Sequence, residues 1–276
     1  MDISIVLRGS INEAEQQIGR KILYAYVQGS QNYNLETPDS DVDVKAFCLP
    51  TFDDLFNEKQ FSSCLDHSFG QITIHDIRKL PILLAKMNPY YVEGLVSKLV
   101  YLNSERPESI YFIDHTKSFF DAIFQAKGST FLQALRNLAH SELDKIRQGG
   151  PSRQAAFKQF GYDPKAALHA LRYASLFFAL QIPFIDSESS AYEAYIDAIR
   201  LRSVSQRQRL MDVKLGKESC DTLVQEIKEA IELMDSFLVQ HKRIEKGPVD
   251  CIEALKKEIR DWVEPLIVSH QKIKDE

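Results

Sequence analysis

Its four cysteines, Cys48, Cys64, Cys220 and Cys251, are widely scattered, and none pairs with another at Cys-x-x-Cys spacing. That argues against a zinc ribbon and against a disulfide scaffold, and fits a reducing compartment. Long apolar runs are also missing. The opening MDISIVLRGS holds too short an apolar stretch for a signal peptide, and no segment approaches the length that spans a bilayer. A cytoplasmic protein without membrane contact is expected. Excess positive charge is lacking too: the formal net charge is -5, so there is no global attraction to nucleic acid or an anionic membrane, although a local basic groove remains compatible with it. Neither an internal repeat nor a low-complexity tract occurs, which excludes a solenoid.

The 276 residues, 44% hydrophobic and 26% charged, supply enough apolar material for a sizeable core and suggest two moderate domains. Apolar positions recur at helical spacing over 11–23, followed by ILYAYVQ, rich in strand-favouring aromatic and β-branched residues. DVDVKAFCL alternates polar and apolar side chains and predicts a second strand, and QITIHDI a third. RKLPILLAKM and PYYVEGLVSKL predict two helices, with Asn88 as N-cap and Pro89 as first helical residue of the second. Beyond about residue 114 strand signals disappear and helical periodicity takes over, with breaks at Gly149-Gly150-Pro151 and Gly247-Pro248.

The chemistry concentrates in QGSQNYNLETPDSDVDVK. On a strand, Asp41 and Asp43 point the same way while Val42 and Val44 point to a buried face. Two adjacent carboxylates resist joint ionisation unless a cation lies between them, and such oxygen ligands suit Mg²⁺ or Mn²⁺. An isolated Asp-x-Asp is more often only a solvated strand face. The Gly29-Ser30 turn ahead of it changes that weighting, because a glycine lets phosphate approach backbone N–H groups and the serine hydroxyl adds a donor. One feature would hold a triphosphate and the other its counter-cation.

Gly29-Ser30 followed by Ser40-Asp41-Val42-Asp43 resembles the core signature of the DNA polymerase beta-like nucleotidyltransferase superfamily. The blocks GSQNYNLETPDSDVDVKAFCLP, HDIRKLPILLAKMNPYYVEGL and FGYDPKAALHALRY together resemble a phage and bacterial branch of predicted nucleotidyltransferases. Asn34 departs from that branch, which usually carries glycine there; asparagine tolerates a left-handed backbone better than most residues. The resemblance implies an α+β fold: a nucleotidyltransferase catalytic domain over 1–114, with a small mixed sheet and helices, and an all-helical domain over 115–276 that binds nucleotide or substrate. It implies transfer of a nucleoside monophosphate from an NTP to an acceptor hydroxyl, with Mg²⁺ or Mn²⁺ on Asp41 and Asp43. It further implies a third carboxylate from a neighbouring strand as metal ligand and base. Asp76 is the candidate and Asp66 the alternative. His75 reads as packed or solvated, and Glu93 equally as a structural partner of a base.

Lys165, His169 and Arg172 recur at i, i+4 and i+7 in a segment that also holds Lys145, Arg147, Arg153 and Lys158, with Asp163 as its acid. Charge runs are often solvated helix faces; within the family-like block, Lys165 and Arg172 are read as β/γ-phosphate or substrate contacts, with His169 beside them. Arg200, Arg202, Arg207 and Arg209 form a second basic run without aromatic interleaving and read as surface. The acceptor stays open among an RNA end, a protein hydroxyl and a small molecule. So does a different class of function, an antitoxin-like module that keeps the fold and binds a partner without catalysis.

Overall fold

A computed structural model describes residues 3–38, 40–103, 115–148, 154–201, 203–242 and 250–274. The glycine-proline breaks at 149–151 and 247–248, together with Arg153 and Arg202, lie outside the described residues. The fold is α+β. Five strands, β1 (Ile22–Gln28), β2 (Asp43–Cys48), β3 (Ser62–His67), β4 (Gly70–Asp76) and β5 (Val100–Leu102), form one mixed sheet in the order β3-β4-β2-β1-β5. β2 and β4 run parallel; the other pairings are antiparallel.

Helix α1 (Ile3–Ile18) covers one face of this sheet. Val6, Leu7, Ile11 and Ala14, spaced as one helical stripe, pack with Ala25, Val27, Val42, Val44, Ala46, Cys48, Ile72 and Ile74. α1 begins earlier and stops sooner than the 11–23 periodicity predicts, because Gly19 adopts φ +63° and donates its N–H to the Glu15 carbonyl, ending the helix ahead of β1. A short α2 (Phe52–Phe56) is closed by a capping box between Thr51 and Asp54.

The opposite face carries Tyr24, Tyr26 and Phe47, all buried, against α4 (Pro89–Val92) and a 3-10 turn (Glu93–Val96), with α3 (Leu80–Ala85) preceding them in the chain. Tyr24 donates to the Gly94 carbonyl at 2.8 Å and Tyr26 to the Tyr90 carbonyl at 3.1 Å. A Cβ on Gly94 would stand 2.4 Å from the Tyr26 ring, so the turn requires glycine. Asn88 caps α4, accepting from the Tyr90 N–H, and Pro89 is its first residue.

Past residue 114 the described residues are helical: α5 (Thr116–Ile146, broken at Lys127), α6 (Gln154–Phe160), α7 (Pro164–Ala179), α8 (Gln181–Ile185), α9 (Ala191–Arg200), α10 (Val204–Lys214), α11 (Cys220–Gln240) and α12 (Asp250–Lys274). The chain divides into two compact units, but not at 114/115. The first takes in described residues within 1–32, 36–123 and 247–276, the second those within 33–35 and 124–246. α12 belongs to the first because it packs on α2 and α3, burying Ile252, Leu255, Ile259 and Val263. No helix among the described residues is long and apolar enough to cross a membrane.

Candidate active site around Asp41 and Asp43

β1 delivers Gly29 to the end of the sheet, where it opens a 3-10 turn (Gly29–Gln31) at φ +75°. Nothing lies within 4 Å of where its Cβ would be, so backbone conformation rather than space selects glycine. The Gly29 N–H donates to Glu93 Oε1 at 3.0 Å, and the same oxygen accepts from Asn32 Nδ2 at 2.7 Å. Asn32, 1% exposed, also donates to the Val27 carbonyl at 2.8 Å and accepts from Ser97 Oγ and the Lys98 N–H at 3.2 Å each. The donor read from sequence as meeting phosphate therefore meets the buried carboxylate of Glu93. Ser30, on the same turn, is half-buried.

Asp41 lies two residues before β2 and Asp43 begins it; both are exposed, while Val42 and Val44 are 0% and 1% exposed in the α1-side core. Anchoring the valines fixes where the carboxylates emerge. Asp43 pairs with Gln28, one residue before Gly29, so the doublet and the turn share one end of the sheet. Among the described residues no group of three or more His, Cys, Asp or Glu side chains could hold a metal ion. The doublet still suits Mg²⁺, which commonly takes one or two carboxylates and completes its shell with water and substrate phosphate oxygens.

Register places the remaining candidates. Asp76 pairs with Cys48 in the parallel β2–β4 ladder, five positions beyond Asp43, roughly 16 Å along the strand. It also alternates with Ile72 and Ile74 on the α1 side, the face opposite Asp43. Its carboxylate is 0% exposed and fully engaged: Oδ1 accepts the Arg78 N–H at 2.9 Å and Nε at 3.0 Å, and Oδ2 accepts Nη2 at 2.6 Å. Asp76 thus corrects the expectation of a third carboxylate beside the doublet. Local spacing placed it on a strand but carried no inter-strand register, and register decides the face.

Asp66 is the acid that shares the Asp43 row. It pairs with Gln71 on β4, which lies one position before the Ile72 opposite Val44, and Gln71 Nε2 donates to Asp66 Oδ1 at 2.8 Å. Two strand spacings separate it from Asp43, about 10 Å. One row further along, Lys45 lies half-buried on the Asp43 face with its ammonium 4.9 Å from the Tyr91 ring centre. Burial lowers its pKa, opposed by the nearby Glu93, Cys64 and Asp43. Sequence reasoning passed over Lys45, though the alternation that aligns Asp41 with Asp43 extends to it. His75 also faces this side, paired with Phe47, its ring nitrogens hydrogen-bonded to Ser62 Oγ at 2.8 Å and the Tyr91 hydroxyl at 2.9 Å. Burial, then Lys45 and Lys79, hold its pKa down at about 4, so it is neutral near pH 7.

In the second unit, Asp163 caps α7 by accepting the N–H groups of Lys165 and Ala166 at 3.0 and 3.1 Å. From that helix Lys165 is exposed, His169 approaches Glu142 at 4.0 Å, and Arg172 lies 3.1 Å over the Tyr33 ring centre. Asn34 adopts φ +55°, the left-handed conformation that its place in the signature requires. Arg209 is committed to Glu226 and Glu218, whereas Arg207 Nε donates to the Asn34 carbonyl and the Arg200 backbone carbonyl accepts from Asn34 Nδ2.

A chain with this fold and doublet has relatives. YcgL of Bacillus subtilis (strain 168), an uncharacterized protein, is 32% identical over 94 residues, 33% of this chain and 36% of YcgL; the match thus spans about a third of either protein. A nucleotidyltransferase-like protein from Exiguobacterium sibiricum 255-15, solved by crystallography, aligns over 97% of this chain and 92% of its own at 11% identity, with a TM-score of 0.25. The model of the RNA repair pathway DNA polymerase beta family, RlaP, matches residues 3–254. The chain belongs to that family and is a DNA polymerase beta-like nucleotidyltransferase by descent.

Proposed function

We propose that the protein transfers a nucleoside monophosphate from an NTP to an acceptor hydroxyl, releasing pyrophosphate. The observation that carries this reading is the exposed Asp41–Asp43 doublet, rooted by buried valines beside the Gly29 turn. Asp41 and Asp43 would hold Mg²⁺ or Mn²⁺, which supplies neutralisation of charge on the triphosphate. The acceptor oxygen attacks the α-phosphorus, the bond from that phosphorus to the bridging oxygen breaks, and pyrophosphate leaves. Asp66, in the row of Asp43, takes the acceptor proton in place of Asp76. Ser30 offers its hydroxyl to the phosphates, while Glu93 keeps Gly29 in shape behind it. Lys165, His169 and Arg172, which share one stripe of α7, are phosphate or substrate contacts within the helical unit in this reading. The family's link to RNA repair favours an RNA end among the acceptors.

One observation supports a second reading, a partner-binding module without turnover: the Gly29 N–H is already given to Glu93. Incubation with α-labelled NTPs, Mg²⁺ and RNA, protein or small-molecule acceptors separates the two. Transfer predicts a labelled product that Asp41→Asn and Asp43→Asn abolish. NTP binding without any product or pyrophosphate, and co-purification with a stoichiometric partner, would sink it.

A further inference from the structure

The two peptide groups that join Asp41, Val42 and Asp43 are both held by the tip of the β3–β4 hairpin. The Val42 N–H, in the Asp41–Val42 peptide, donates to the Phe69 carbonyl at 2.7 Å. The Val42 carbonyl, in the Val42–Asp43 peptide, accepts from His67 Nε2 at 3.1 Å. Because a carbonyl only accepts, Nε2 carries the ring proton. The other nitrogen agrees: Nδ1 accepts the Phe69 N–H at 3.3 Å, which requires the same tautomer of the neutral ring. Ser10 Oγ, from α1 and 5% exposed, lies 3.2 Å from Nδ1 and backs the half-buried imidazole.

The backbone approach is just as close. The hairpin turns at Ser68 and Phe69, so that His67 pairs with Gly70 at the start of β4. A Cβ on Gly70 would stand 2.7 Å from the Val42 oxygen and 3.0 Å from both its carbonyl carbon and its nitrogen, backbone atoms that cannot rotate aside. Glycine is what lets the hairpin reach Val42. With its side chain 0% exposed in the core beneath α1, Val42 is fixed by packing and at both of its peptide groups, although β2 begins only one residue later.

We infer that His67 is a positioning residue for the doublet: its Nε2–H sets the Val42–Asp43 peptide plane, and with it the spacing of the Asp41 and Asp43 carboxylates. This rests on the reading of Asp41 and Asp43 as metal ligands. Tilting that peptide swings Asp43 relative to Asp41, and Mg²⁺, which demands near-octahedral geometry, tolerates little of it. Removing a group that orients metal ligands commonly costs about ten- to a hundredfold in affinity or activity. Asp66 is the neighbour of His67 on β3, so one hairpin carries the proposed base and aligns the proposed ligands.

The test is a Mn²⁺ titration of the full chain without nucleotide, followed by electron paramagnetic resonance, alongside kcat and KM for transfer. Wild type binds Mn²⁺ and Asp43→Asn does not. His67→Phe, which fills the space of the ring without a donor, weakens Mn²⁺ about tenfold and lowers kcat more than it raises the KM for NTP. His67→Gln, whose Nε2 can donate to the same carbonyl, restores most of both, which a merely structural role would not allow. Gly70→Ala forces the hairpin off Val42 and also weakens Mn²⁺, so it decides the matter where His67→Phe fails to fold. Ser68→Ala, exposed on the same turn, binds Mn²⁺ as wild type does. Wild-type affinity in His67→Phe or Gly70→Ala, no recovery in His67→Gln, equal weakening by Ser68→Ala, or no Mn²⁺ binding by wild type overturns the inference. A wild type that binds Mn²⁺ without transferring a nucleotide refutes the proposed reaction alone, and the metal titration still judges His67.

Discussion

Replacing Asp76 by asparagine separates a structural from a catalytic carboxylate. In the folded chain both Asp76 oxygens face Arg78, which also reaches the Lys59 carbonyl. Asparagine keeps one oxygen for the Arg78 N–H and Nε, but turns an amide NH₂ toward the guanidinium Nη2, donor against donor. Breaking one side of a buried ion pair costs about 3–5 kcal/mol. Because half of the acceptor set survives, the lower end applies, about 3 kcal/mol, which corresponds to a fall in Tm of about 6–12 °C. Thermal unfolding followed by circular dichroism measures it, alongside the transfer rate well below the transition. Arg78→Met should destabilise at least as much by leaving Asp76 buried without its cation, and the double variant should recover part of the summed loss. An Asp76→Asn protein with unchanged Tm and no transfer activity would refute this assignment and restore Asp76 to the reaction.

Glu93→Ala removes the acceptor of Gly29 and Asn32 and should cost about 3 kcal/mol, whereas Glu93→Gln, which keeps an oxygen for both, should cost about half that; urea unfolding distinguishes them. Burial alone would raise the pKa of Asp54, but hydrogen bonds from Arg20 and Thr51 outweigh it and hold the carboxyl at about 2. Since the folded pKa is depressed, this stabilisation of about 2 kcal/mol is present above pH 4 and is lost as pH falls toward 2; Asp54→Asn should flatten that part of the stability–pH curve. His75 is likewise depressed, to about 4, so the unfolded chain takes up the proton first as pH falls below 6.5. Stability should decline between pH 6.5 and 4, and His75→Gln should remove that share of the decline.

The strands that alternate strongly or run apolar, β1, β2 and β4, were legible in the sequence, as was the Asn88-Pro89 start of α4. β3, SSCLDH, lies at the sheet edge with half its residues exposed and carries no apolar period to read, and β5 spans only three residues. α12 looks like any amphipathic helix locally; only its contacts with α2 and α3 return it to the first unit. The Asp41–Asp43 doublet was visible because two-residue alternation is a local property. The Glu93 contact with Gly29 spans 64 positions and Asp76 depends on the β2–β4 register, so neither could be read from spacing. Asn34 is the opposite case: one residue type at one signature position anticipated a left-handed backbone.

In the proposed reading, the exposed Asp41–Asp43 doublet makes this family member an active transferase. Its most direct measurement is Mg²⁺-dependent pyrophosphate release from NTP in the presence of an RNA acceptor, comparing wild type with folded Asp43→Asn. Wild type should release pyrophosphate steadily, and the variant should fall by about a hundred- to a thousandfold, in line with the loss of a charge-stabilising catalytic group. Release by Asp43→Asn at the wild-type rate would contradict it.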